Sequence, residues 1–288
     1  MEIITGKTAG FCYGVSNAVN KAIQILEENK GATIYCLGEL VHNRQVVEQL
    51  ENLGLSVVQD AKELPKAVNS SDKVIIRAHG VSKDVYKKIQ ELQYECVDLT
   101  CPNVLNIHKI AREYLENGYY ILLVGQKNHP EVLGTYGWCE SNCSIIESEA
   151  DIEEVYKNIE CSKILVVGQT TFSLEKFNKF VEIIKSKFNA EIVVKNTICN
   201  ATKLRQEETE NLSKKVDFMI IIGGKNSSNT RKLYEISNKY TDAICIETAE
   251  ELEKEKERLL KKDKDFKIGI MAGASTPQKS IDDVVEIL

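Results

Sequence analysis

Long apolar runs, proline, histidine and a surplus of positive charge are all missing or scarce in this 288-residue sequence. No run approaches the roughly 20 apolar residues that a bilayer-spanning helix needs, so no membrane partner is expected. Acidic residues outnumber basic ones, 43 to 37, for a formal charge of −6 and a pI near 5.5. That balance argues against nucleic acid as a partner, because such a surface usually needs a concentrated basic face. No G-x-G-x-x-G occurs, and Gly6-Lys7-Thr8 has Met1 where a Walker A loop needs its first glycine, so no nucleotide cofactor is indicated. The opening MEIITGKTAG lacks the charged-then-apolar profile of a signal peptide, and the expectation is a soluble, cytoplasmic protein. Proline appears only at 65, 102, 130 and 277, and three of these follow a candidate site residue or loop, where proline suits a first helical turn.

What is present is an alternation of strand-like and helix-like segments. Lys73–Arg77, Tyr119–Val124, Lys163–Val167, Asp217–Ile222 and Lys267–Met271 are short apolar runs of the kind that form buried parallel strands. Amphipathic stretches include Val15–Glu28, Asn43–Leu53, Asn103–Asn117, Phe172–Phe188 and Ala201–Lys214. This order predicts βαβ units and an α/β fold. Thr248-Ala249-Glu250-Glu251 has the form of a capping box opening a charged, solvated helix over Glu250–Lys262. With no low-complexity linker between them, three closely joined lobes are expected, over 1–99, 100–197 and 198–288. The N-terminal strand is free to join another lobe.

Nine cysteines in so large a chain do not suggest disulfides, since the count is odd and a reducing cytosol keeps thiols reduced. Cys36, Cys161 and Cys245 lie in or beside strand-like segments and behave as small buried hydrophobes. Cys96 and Cys101 form C-x4-C without the C-x2-C that a plant-type ferredoxin pattern requires. Cys139 and Cys143 have zinc-like spacing but no second half, which suggests an ordinary surface or half-buried pair. Cys12, Cys101 and Cys199 differ from these. Each stands directly before a predicted helix, where the dipole and unpaired N–H groups favour a thiolate. They are too far apart for a local clamp, so joint binding needs three lobes that bring one thiolate each to a centre. Three thiolates leave a metal one ligand short, and an open position is what substrate chemistry needs.

Three of the four histidines, His42, His79 and His129, sit in strand-to-helix loops, whereas His108 lies inside a helix and is structural. Ligands in open α/β sheets bind at the carboxyl ends of strands, where such loops lie. Gly223–Thr230, with Ser227, Ser228 and Asn229, and Ala272–Pro277, with Ser275, add hydroxyl and amide donors in the same kind of place. They are either helix caps or an anion cradle; together with the histidines they favour a phosphate or diphosphate site. Glu131 opens a predicted helix and is a candidate proton donor if burial raises its pKa. Thr170 either relays a proton or caps a helix. On residues alone, a phosphate-handling hydrolase or mutase, and a non-catalytic metal or redox-sensing protein, stand beside an enzyme with an open metal site.

The ordered segments GFCYGV, LVHNRQVVEQL, RAHGVS, DLTCPNV, NHPEVLGT, GQTTFS, NTICNATKLRQ, GGKNSSNT and MAGAST make the chain resemble the 4-hydroxy-3-methylbut-2-enyl diphosphate reductase (IspH/LytB) family nearly end to end. The resemblance implies three similar βαβ-type lobes, with parallel sheets arranged pseudo-threefold around a central iron–sulfur cluster. It implies that Cys12, Cys101 and Cys199 ligate a [4Fe–4S] cluster with one open iron. His42, His79, Ser227, Ser228, Asn229 and Ser275 are implied to bind the diphosphate, with His129 between diphosphate and hydroxyl. Glu131 and Thr170 are implied to move the proton. The implied reaction is the reductive removal of an allylic hydroxyl, giving isopentenyl and dimethylallyl diphosphates, with reduced ferredoxin or flavodoxin as donor. Trp138 and the Cys139/Cys143 pair fall outside the pattern and carry no expected role.

Overall fold

The computed structural model of the chain describes residues 1–139, 141–253 and 265–288. It contains three four-stranded sheets, and every strand pair in them is parallel. The strands, in chain order, are β1 (Glu2–Thr5), β2 (Ile34–Leu37), β3 (Leu55–Val58), β4 (Lys73–Ile76), β5 (Glu95–Asp98), β6 (Tyr120–Val124), β7 (Cys143–Ile146), β8 (Lys163–Gly168), β9 (Glu191–Lys195), β10 (Phe218–Ile222), β11 (Asp242–Ile246) and β12 (Lys267–Ala272). The sheet orders are β3-β2-β4-β5, β7-β6-β8-β9 and β11-β10-β12-β1.

These are one topology repeated three times. In each sheet the chain lays down a strand, moves to one side for the second, then crosses back for the third and fourth. In the last sheet the fourth place is taken by β1, from the opposite end of the chain, paired with β12 in the register Glu2↔Lys267 to Thr5↔Ile270. The strand order therefore reverses between β2 and β4, between β6 and β8, and between β10 and β12. Crevices at the carboxyl ends of strands flanking such a switch are where open α/β sheets bind ligands.

Helices connect the strands: α1 (Tyr13–Glu28), α2 (Arg44–Asn52), α3 (Lys83–Glu91), α4 (Pro102–Glu116), α5 (Pro130–Tyr136), α6 (Glu149–Asn158), α7 (Leu174–Lys187), α8 (Asn200–Ser213), α9 (Ser228–Ser237) and α10 (Gln278–Ile287). Most of the charged helix expected over Glu250–Lys262 lies outside the described residues. Its start is present: residues 249–253 are helical, and the Glu251 carboxylate accepts the Glu247 N–H at 3.3 Å. Among the described residues, no helix is long and apolar enough to cross a membrane.

By its contacts the chain forms two compact units. One comprises Met1–Ser16, His42–Val46 and Cys199–Leu288, and the other Asn17–Val41 and Val47–Ile198. The apolar strand runs are continuous because both faces of each sheet are covered. In the second unit, Leu122, Val124, Ile164 and Val166 pack with Phe177 and Ile184 of α7, while Ile121, Leu123, Leu165 and Val167 pack with Ile107 and Ala111 of α4. In the first unit, Ile220, Ile222, Ile268 and Ile270 face Ile281 and Val284 of α10, while Met219, Ile221 and Met271 face Leu212 of α8 and Leu233 of α9. Removing a buried aromatic from such a core typically costs about 3–5 kcal/mol, and Phe177 is the largest side chain of its kind here.

Candidate functional site

The repeated topology gives the candidate residues equivalent addresses. His42 and His129 lie in the loops after the first strands β2 and β6, and Ser227–Asn229 open the helix α9 that follows the first strand β10. His79, Thr170 and Ser275 follow the third strands β4, β8 and β12, and Cys101, Cys199 and Cys12 follow the fourth strands β5, β9 and β1. Every candidate therefore sits at the carboxyl end of a strand next to a switch point or in the fourth place beside it.

All three cysteines open helices. Cys101 is the N-cap of α4, with Pro102 at its first position, and its carbonyl accepts the Leu105 N–H at 3.0 Å. Cys199 caps α8 with its sulfur, which accepts the Thr202 N–H at 3.4 Å and lies 3.1 Å from the Thr202 hydroxyl. Cys12 precedes α1, its carbonyl accepting the Ser16 N–H, and its own N–H donates to the Ala274 carbonyl at 3.0 Å. All three are half-buried, and none of the nine cysteines is in a disulfide. Elsewhere burial pushes thiols up, Cys36 to about 12 and Cys96 and Cys245 to about 11. The Cys139/Cys143 pair is not the surface or half-buried pair expected. Both are buried, Cys139 at 0 % and Cys143 at 5 % exposure, in the core between α4 and β6. Such burial comes from tertiary packing, which local spacing does not encode.

Within the unit built on β2–β9, the His79 and His129 rings meet edge to face with centroids 5.4 Å apart. Gly80 makes the turn after His79 with φ +71°, and a Cβ there would stand 2.9 Å from His108 Cε1. Trp138 anchors the same loop by donating from Nε1 to the Val81 carbonyl at 2.9 Å, while stacking on His108. Burial holds His108 down at about 4, so it stays neutral in the core at physiological pH. His129 caps α5 through Nδ1, which accepts the Glu131 N–H at 3.1 Å, so its Nε2 is left as the ring's donor.

Glu131, in the first turn of α5, is 2 % exposed. Its two carboxylate oxygens accept the Thr170 N–H and the Thr170 hydroxyl, each at 2.6 Å. Desolvation pushes its pKa up to about 7, against the opposing pull of the two Thr170 bonds. Thr170 does not take the capping role that the sequence left open for it. Ser173 caps α7, and the Thr170 hydroxyl is spent on Glu131.

Within the other unit, three polar segments converge. The Ser275 hydroxyl donates to the His42 carbonyl at 3.1 Å, and a Cβ on Gly224 would lie 2.6 Å from that same oxygen. Only glycine permits so close an approach at Gly224. Ser227 caps α9 by accepting the Thr230 N–H, while Ser228 is half-buried at the first helical position. The N–H groups of a first turn have no intrahelical acceptor. Asn229 is 3 % exposed, yet neither its Oδ1 nor its Nδ2 has a hydrogen-bond partner. Leaving such an amide unsatisfied costs about 1–3 kcal/mol, which a bound anion or water would relieve.

A family profile described as LytB protein matches residues 3–288. The chain belongs to the LytB family. Among curated LytB-type relatives, 4-hydroxy-3-methylbut-2-enyl diphosphate reductase of Thermoanaerobacter sp. (strain X514) is 43 % identical over 287 residues, covering 99 % of this chain and 96 % of the relative. The enzyme of the same name from Clostridioides difficile (strain 630) is 41 % identical over 289 residues, covering 100 % and 99 %. A solved (E)-4-hydroxy-3-methyl-but-2-enyl diphosphate reductase, described as the terminal enzyme of the non-mevalonate pathway, is similar at TM-score 0.70 and 40 % identity, covering 100 % of this chain and 99 % of that one. The reductase of Plasmodium falciparum matches at TM-score 0.90 and 30 % identity, covering 100 % and 87 %. The three parallel α/β lobes are thus the LytB architecture.

One residue of this family member escaped the reading of the sequence. Arg205 of α8 is 3 % exposed and donates from Nη2 to the Gly10 carbonyl at 2.5 Å, two residues before Cys12. The signal was a buried polar stripe, Thr202, Arg205, Gln206, Thr209 and Ser213, recurring at helical spacing on α8.

Proposed function

We propose that this chain is a 4-hydroxy-3-methylbut-2-enyl diphosphate reductase. It converts (E)-4-hydroxy-3-methylbut-2-enyl diphosphate, two electrons and two protons into isopentenyl or dimethylallyl diphosphate and water. The observation that carries the reading is Glu131, a fully buried carboxyl pushed up to about 7 and bonded by the Thr170 hydroxyl, in a chain that matches LytB from residue 3 to 288. A carboxyl so placed exchanges its proton near neutral pH and can give it up, as removal of a hydroxyl as water requires.

Cys12, Cys101 and Cys199 are the residues that would hold a [4Fe–4S] cluster with one open iron. Three thiols at three helix starts are a donor set that suits it. When bound, the cluster supplies single electrons and a Lewis acid for the hydroxyl oxygen. The chain's own groups do the rest. His42, His79, Ser227, Ser228, Asn229 and Ser275 bind the diphosphate through imidazole, hydroxyl and amide donors and the α9 start, so few lysines are needed. The buried Asn229 Nδ2, which has no acceptor among the described residues, is the donor best suited to such an oxygen. His129, oriented by its cap bond to α5, sits between the diphosphate and the hydroxyl end. Glu131 supplies the proton, with Thr170 fixing the carboxyl and relaying to the hydroxyl. Anchoring the diphosphate far from the bond that breaks supplies orientation.

Reduced ferredoxin or flavodoxin is the proposed electron donor, and the cytoplasm the proposed compartment, in keeping with nine cysteines and no disulfide. The test is anaerobic reconstitution with iron and sulfide, followed by chemical reduction and addition of the allylic diphosphate. Formation of the two isoprenoid diphosphates is the expected result. A colourless protein that releases inorganic phosphate instead overturns the proposal in favour of a hydrolase.

A further inference from the structure

Arg205 lies at the junction of two candidate ligand segments, both in the same unit. It belongs to α8, whose first turn Cys199 caps, and its Nη1 reaches back to the Ala201 carbonyl at 3.4 Å. Its Nη2 holds the Gly10 carbonyl at 2.5 Å, at the foot of the loop that presents Cys12. Its Nε is buried with no hydrogen-bond partner. The carboxylate that bears on it, Glu208, is already committed: it accepts the N–H groups of Lys7 and Thr8 and the Thr8 hydroxyl, at 2.7, 2.8 and 2.5 Å. A guanidinium stays charged under all ordinary conditions, and burying it without a close carboxylate is costly unless other negative charge is at hand. Burial pulls its pKa down, and the charges that oppose this are, in order, Cys12, Cys199 and Glu208.

We propose that Arg205 is a positioning residue with an electrostatic task. It ties the Cys12 loop to the Cys199 helix, and its buried charge favours the more negative, reduced state of the centre those cysteines hold. The inference rests on the cluster assigned above. A cation close to thiolate ligands offsets negative charge gained on reduction, and local charge is one of the levers that set iron–sulfur potentials. Arginine suits the task better than lysine because its planar fork can hold two carbonyls while keeping its charge.

The test is a redox titration of the full-length, anaerobically reconstituted protein, followed by electron paramagnetic resonance, with iron measured on each sample. Arg205→Gln is expected to lower the reduced-to-oxidised ratio at a fixed potential at least tenfold, a downward shift of about 59 mV for a one-electron couple. Arg205→Lys, which keeps the charge and loses the fork, is expected to shift less than half as far. Iron lost from the Gln variant but kept in the Lys variant also supports a role of charge. A fully loaded Gln variant with the parent's potential overturns the proposal, and so does equal iron loss from both variants, which would leave only a tether. A parent protein that takes up no iron overturns the cluster assignment itself, and is told apart by the iron content before any variant is compared.

Discussion

Glu131 and Asn229 are almost equally deep, at 2 % and 3 % exposure, but the two units treat them in opposite ways. In the unit built on β2–β9, both oxygens of Glu131 are taken by Thr170, and the first N–H of the same helix turn is taken by the His129 ring. In the unit built on β1 and β10–β12, Asn229 keeps its oxygen and its nitrogen unpaired at the start of α9. One unit has a polar group finished and pre-organised before any ligand arrives, as a proton donor must be. The other leaves donors unspent, as an anion site must. The lesson is that hydrogen-bond saturation, more than residue type or depth, separates these two buried polar groups.

The largest effect expected cuts across this contrast. Cys12→Ser, Cys101→Ser and Cys199→Ser should each reduce iron retention and lower activity by ~100-fold or more, since even supporting groups around a metal are worth 10–100-fold. Cys36→Ser should change neither, because that thiol is buried in β2 and pushed up to about 12. Iron analysis of the four proteins decides, and equal loss in the Cys36 variant would undo the ligand assignment.

Next comes the finished side. Glu131→Gln should cut turnover by ~10²–10⁴-fold, the usual worth of general acid catalysis, while leaving the substrate's KM near that of the parent. The parent should lose activity as pH rises through about 7, because the proton to be donated leaves the carboxyl there. The Gln variant should lack that limb. Stability carries the same signature. A carboxyl at 4.5 when unfolded and about 7 when folded contributes most below pH 4.5, and that contribution is lost as pH rises toward 7, on the order of 3 kcal/mol in all. Denaturant unfolding at pH 5 and pH 8 should show the parent losing more across that span than Glu131→Gln.

The unfinished side should respond differently. Asn229→Ala should raise KM by ~10-fold or more, a hydrogen bond to a charged oxygen being worth about 1.5–3 kcal/mol, with kcat little changed. The ligand-free protein should be no less stable, since the amide satisfies nothing there. A fall in stability with KM unmoved would make Asn229 a structural residue and erase the contrast. Smallest of all, Ser148→Ala removes the capping box of α6, in which no candidate residue takes part. It should cost about 1 kcal/mol in unfolding and nothing in activity.

Much of this was legible in the residues. Strands such as Lys163–Val167, found as Lys163–Gly168, and helices such as Asn103–Asn117, found as Pro102–Glu116, announce themselves through apolar periodicity and a proline at the first turn. The strand-end loops carrying His42, His79, His129 and Ser275 were visible for the same reason. What was not legible depends on long-range partners. The place of β1 is set by β12, at the far end of the chain. That Thr170 gives its hydroxyl to Glu131 and does not cap α7 could not be read without knowing that Glu131 lies beside it. Arg205 was hidden because α8 buries polar residues, the reverse of the pattern by which a helix face is normally read. Cys139 and Cys143 were misplaced because their burial is owed to α4 and β6, not to neighbours in sequence.

The central claim is the proposal that the buried Glu131 carboxyl is the proton donor toward an allylic diphosphate. The most direct test mixes the reduced, iron-loaded protein with the allylic diphosphate under anaerobic conditions. Oxidation of the protein and formation of isopentenyl and dimethylallyl diphosphates should both be seen in the parent. In Glu131→Gln the substrate should still bind, but neither should follow. Full product formation in the Glu131→Gln protein would contradict the account.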